Sequence, residues 1–144
     1  MPTTASDVHL LKRRTACRRP LFLSRVQAGF PSPADDYVET GLDLNEYLIE
    51  RPTSTFFVRV RGDSMTEAGI ADGSILIVDR ADEAESGDIV VAALDGELTV
   101  KRLHVAQDCC WLLPENDEHR PIEVTEAREM VIWGVVQHVI NRVK

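Results

Sequence analysis

Cysteine is scarce in this 144-residue chain, limited to Cys17, Cys109 and Cys110. A disulfide framework needs an even set at loop-closing spacings, and a bridge between the adjacent Cys109 and Cys110 would close a strained ring. Stapling is therefore excluded, and reduced thiols point to a cytoplasmic setting. Long apolar runs are also missing. Nothing approaches the ~18 residues of a spanning helix. The bases Lys12, Arg13, Arg14, Arg18 and Arg19 lead only into Leu21-Phe22-Leu23, too short for a signal-peptide core. No membrane partner is expected. His9, His104, His119 and His138 are scattered without ligand spacing, so no metal and no cofactor is expected. There is no GxGxxG, no Walker lysine loop, no CxxC and no GxSxG elbow, although composition leaves a Ser-His-Asp triad open.

What is present is a body of one domain's size, 44% hydrophobic, which supports a packed core without staples. The net charge of −8 is unevenly spread. Residues 1–28 carry six bases and one acid, +5; residues 29–144 carry ten bases and twenty-three acids, −13. A basic arm on an acidic body can lie on that body or on a nucleoprotein partner. The body itself would repel phosphates and is a poor DNA binder.

Residues 1–28 show no sustained period. Gly29-Phe30-Pro31-Ser32-Pro33-Ala34 reads as an extended connector, because two prolines remove donors and push their predecessors to extended geometry. Leu44, Tyr47 and Leu48 have helical spacing, which predicts a short helix near 43–50 with Asp43 as cap and Pro52 as stop. From residue 55 the pattern turns to strands: 55–60, 74–78, 89–94, 97–103, 110–113 and 130–140. Asp95-Gly96 is the strongest hairpin signal. Val131, Trp133 and Val135 fall on one face of the last strand by simple alternation, and Ile132, Val136 and Ile140 on the other. Apolar residues on both faces mean burial on both, by core or by a partner. The expected fold is mainly β, compact and mostly antiparallel, with a short helix and an extended, flexible N-terminal arm.

Two residues carry candidate chemistry. Ser64 follows a strand in the turn Gly62-Asp63-Ser64-Met65, where a hydroxyl can be presented beside main-chain N–H groups. Lys101 sits mid-strand, on the face of Thr99 and Leu103. Desolvation there would lower its pKa from about 10.4 toward physiological pH, leaving neutral amine to take the Ser64 proton. On residues alone, the ordinary readings are an ST-turn and an exposed strand lysine.

A resemblance adds to this. Gly62-Asp63-Ser64-Met65 with Gly69-Ile70 and Asp72-Gly73 resembles the nucleophile segment of the LexA/UmuD self-cleaving serine–lysine peptidases. Thr99-Val100-Lys101-Arg102-Leu103 resembles their general-base strand. Ala28-Gly29-Phe30-Pro31-Ser32-Pro33-Ala34 resembles the cleavage region of the UmuD branch. The likeness runs from about Pro20 to the C-terminus and includes Tyr37-Val38-Glu39, Leu42-Asp43-Leu44-Asn45 and Trp133-Gly134-Val135-Val136. It implies Ser64 as nucleophile, Lys101 as general base, main-chain N–H groups of Ser64 and Met65 as oxyanion donors, and Ala28–Gly29 as the scissile bond. The implied organisation is an arm, 1–28, removed by self-cleavage, a connector, 29–44, and a peptidase domain, 45–144. The implied role is the accessory subunit of an error-prone translesion polymerase in the SOS response. The implied partners are a second copy in a homodimer, a RecA–single-strand DNA filament that activates cleavage, and a UmuC-type Y-family polymerase subunit.

Three other readings compete. A LexA-type repressor needs a helix-turn-helix of several dozen residues before the cleavage site, where only 28 are available. A membrane signal peptidase needs an anchor. A non-catalytic polymerase-binding module with a vestigial dyad needs neither.

Overall fold

The structure, a computed structural model, describes residues 4–10, 16–22 and 39–144. Two compact units divide them, one of residues 4–10 with 51–144 and one of residues 16–22 with 39–50. The expected mainly β, antiparallel architecture with one short helix is what these residues form. Among them no helix is long and apolar enough to cross a membrane.

In the smaller unit β2 (Arg18–Phe22) pairs antiparallel with β3 (Glu39–Asp43). Helix α1 (Leu44–Leu48) follows at once. Asp43 caps it as expected, its side chain accepting from Asn45 N–H at 2.9 Å and from Cys17 N–H at 3.1 Å. The apolar spacing does not mark a buried stripe, since Leu44 and Tyr47 are exposed. The cap, more than burial, defines this helix.

The larger unit is one eight-stranded sheet in the order β1-β4-β5-β10-β6-β7-β8-β9. Its strands are β1 (Thr4–Leu10), β4 (Thr55–Arg61), β5 (Ile75–Asp79), β6 (Ile89–Leu94), β7 (Glu97–Ala106), β8 (Cys109–Leu113), β9 (Ile122–Val124) and β10 (Met130–Ile140). All neighbours run antiparallel. The turn between β6 and β7 is the two-residue hairpin expected at Asp95-Gly96, with φ of 50° and 85°, the left-handed pair a primed turn demands. The segment without a period nonetheless supplies two strands. In β1 the register against β4 shifts between Ala5 and Asp7, so one extra residue interrupts the alternation that a period-2 search requires.

β10 corrects the simple alternation. Its register shifts between Ile132 and Gly134 against β6, and between Val136 and His138 against β5. The first bulge puts Val135 on the side of Met130 and Ile132, not with Val131 and Trp133. These three pack into a cluster with Val90, Ala92, Leu94, Leu103 and Leu112. Val136 and Val139 pack against the second cluster, which includes Phe56, Val58, Met65, Ile70, Val91 and Val100. Val131 and Trp133 are exposed at 61% and 37%, and Trp133 meets Phe56 edge-on. The bulge needs Gly134. A Cβ there would stand 2.7 Å from Val78 Cγ1 and 2.8 Å from the Asp79 carbonyl oxygen.

Candidate active site

The turn after β4 is built to hold one hydroxyl. Gly62 takes φ of 102°, a region that disfavours any Cβ. Its N–H donates to Asp72 Oδ1 at 2.7 Å. Met65 is fully buried, and its carbonyl accepts from Ala68 and Ile70 N–H, closing a turn of 3₁₀ helix at Thr66–Ala68. Apolar anchoring on one side and hydrogen bonding on the other leave Ser64 little freedom.

Lys101 stands opposite Val90 in the β6–β7 register. Val90 and Leu103, on its face, are 0% and 3% exposed. Lys101 itself is 2% exposed and Ser64 0%. The lysine Nζ lies 3.0 Å from Ser64 Oγ, and donates to Thr99 Oγ1 at 3.0 Å and to the Val100 carbonyl at 3.2 Å. Burial lowers its pKa from the ordinary 10.5 to about 8, because a desolvated ammonium loses its hydration shell. The neighbours suit the neutral form: an uncharged amine has two N–H donors for Thr99 and Val100, and one lone pair for the Ser64 O–H.

The loop between β8 and β9 completes the site. Glu115 N–H donates to the Ser64 carbonyl at 2.7 Å, and Glu67 N–H donates to the Glu115 carbonyl at 2.8 Å. Asn116 Nδ2 donates to the Asp63 carbonyl at 2.8 Å. His119 Nε2 is 2.8 Å from Asp63 Oδ1, and this contact, first among its causes, holds the Asp63 carboxyl below the usual range. The sequence reading missed these residues. The available signal, the polar run Glu115-Asn116-Asp117-Glu118, marks a loop but not what the loop grips.

The structure thus brings together Ser64, Met65 and Lys101. Ala28 and Gly29 lie outside the described residues. The chain matches the Peptidase S24-like family model over residues 20–137. It belongs to the S24-like peptidases. This S24-like chain is 50% identical over 126 residues to Protein ImpA of Salmonella typhimurium, covering 88% of this chain and 86% of that protein. It is 45% identical over 120 residues to Protein MucA of Escherichia coli, with 83% and 82% covered. It is 43% identical over 121 residues to the LexA repressor of Ectopseudomonas mendocina, covering 83% of this chain and 59% of that protein. The resemblance to the LexA/UmuD group of S24-like peptidases is borne out.

Proposed function

We propose that this chain is a serine–lysine endopeptidase that cuts its own backbone between Ala28 and Gly29. The observation that carries this reading is the buried 3.0 Å contact between Lys101 Nζ and Ser64 Oγ, with the lysine pKa near 8. In the proposed reaction neutral Lys101 takes the Ser64 proton as Oγ bonds to the Ala28 carbonyl carbon. The main-chain N–H groups of Ser64 and Met65 hold the oxyanion. The C–N bond then breaks, and the Lys101 ammonium returns its proton to the Gly29 amine. Water, deprotonated by Lys101, hydrolyses the Ser64 ester. By this reading residues 1–28 are the arm, 29–44 the connector and 45–144 the peptidase domain.

Separating a +5 arm from a −13 remainder changes the electrostatic character of the product and so its partners. In the family's setting this makes the protein the cytoplasmic, homodimeric accessory subunit of a Y-family translesion polymerase in the response to DNA damage. A RecA–single-strand DNA filament would activate it by raising the fraction of chains with the arm docked. The test is incubation of purified wild type and Ser64→Ala at alkaline pH, followed by mass spectrometry. Wild type loses residues 1–28 and the variant does not. Loss of the arm from the variant removes Ser64 as nucleophile.

A further inference from the structure

The segment ahead of the proposed cut holds two strands. β1 pairs with β4 over six register positions, and β2 pairs with β3 over five. A cut between residues 28 and 29 therefore severs the chain without unpairing either strand. β1 is the terminal strand of the sheet, so its removal would expose the full backbone edge of β4. An open edge is a template for another strand.

The register states what such a strand must look like. It runs antiparallel to β4. Val8 and Leu10 stand opposite Val58 and Phe56, which are buried, and Asp7 stands opposite Arg59, which is exposed. Arg61, also exposed, lies two residues further on. The outward row of β4 thus carries Arg59 and Arg61 beside the half-buried Phe57, which stands opposite His9, on a body whose net charge is strongly acidic.

We infer that β1 is a displaceable edge strand, and that after cleavage the β4 edge docks an extended segment of a protein partner. That segment alternates apolar residues, set against Val58 and Phe56, with an acid set against Arg59. The inference rests on the self-cleavage reading for its timing. While the chain is whole, the tether keeps β1 at an effective concentration on the order of millimolar, which excludes competitors. Once it is cut, β1 is held by its own pairing and by that of β2 with β3 on the same fragment, and when β2 leaves β3 a partner strand replaces β1 by mass action. Cleavage and departure of the arm are then separate steps.

The experiment uses the full-length Ser64→Ala chain, which stays whole, with and without Val8→Pro and His9→Pro. The adjacent prolines block pairing in either parity. In the parent, β4 amides are protected along both edges. In the proline variant, the alternate β4 amides that face β1 exchange faster by about tenfold or more, while those facing β5 are unchanged. A synthetic peptide of residues 2–11 binds the proline variant, restores that protection and does not bind the parent. The same peptide carrying Asp7→Lys binds more weakly, by roughly 2- to 30-fold, because like charges then face each other. Four results would each overturn the inference: unchanged exchange in the variant, equal peptide binding to both chains, binding indifferent to Asp7→Lys, or global unfolding of the variant, since a displaceable strand cannot be required by the body. None of these arms depends on catalysis, so a failure of self-cleavage in wild type is read separately.

Discussion

Lys101→Met tests the site from two directions at once. The lysine amine is buried and titrates near 8 instead of 10.5, a depression that costs the folded state about 3 kcal/mol when the group is charged. The unfolded chain binds the proton more tightly, so between about pH 8 and 10.5 it carries more protons than the folded one. Stability therefore rises with pH across that window, and below about 8 the cost is complete. Methionine keeps an unbranched stem and removes the charge. It also deprives Thr99 Oγ1 and the Val100 carbonyl of a donor, which offsets about 1 kcal/mol. The variant is expected to be more stable than its parent at pH 7 by roughly 1–2 kcal/mol, and to lack the parent's rise between pH 8 and 10.5. Urea denaturation at a series of pH values measures both, in a Ser64→Ala background that keeps the chain whole. Wild-type self-cleavage, followed from pH 6 to 11, should climb about tenfold per unit and level off near 8, where neutral amine ceases to be limiting. A methionine variant less stable at pH 7 would mean that Lys101 is an ordinary paired cation. A cleavage rate still climbing through pH 10 would mean that its amine is solvated.

Two further outcomes follow from the packing. Gly134→Ala forces a methyl against Val78 and the Asp79 backbone and should lower stability by about 1–3 kcal/mol, read as a shifted urea midpoint; an unchanged midpoint would show that the β10 bulge has slack. His119→Ala removes the contact to Asp63 beside Ser64 and should slow self-cleavage at pH 8 roughly tenfold through loss of alignment, with the thermal midpoint nearly unchanged. An unaltered rate would separate the 115–119 loop from the chemistry.

Where the chain alternates cleanly, the fold was legible. The strands at 55–61, 75–79, 89–94 and 97–106 carry β-branched residues with a Gly-containing turn on at least one side, and each signal is local. Legibility failed at bulges. One extra residue in β1 hides a strand, and the bulge at Trp133 reverses which residues of β10 face which cluster. A bulge is set by the neighbouring strand, which the local pattern does not contain. At the site, Ser64 and Lys101 were each visible as a residue in a turn and a residue on a strand. Their approach to 3.0 Å is tertiary. So is the grip of Glu115, Asn116 and His119, about 50 residues downstream of the turn they hold.

The place of β10 in the sheet bears on when the sheet that carries Ser64 and Lys101 can be completed. β10 follows all the other strands of the body in the chain, yet it lies in the middle of the sheet, between β5 and β6. Ser64 belongs to the half that holds β4 and β5; Lys101 belongs to the half that holds β6 and β7. On a ribosome both halves emerge first, as separate hairpins with no ladder between them. The sheet ladder between the two halves can form only when the stretch from Met130 to Ile140 clears the exit tunnel, beside the contacts that Glu115 and Asn116 make with the Ser64 turn. A nascent chain thus carries Ser64 and Lys101 before the ladder that joins their halves of the sheet can form. The last strand to leave the ribosome is the one that joins the two halves into a single sheet.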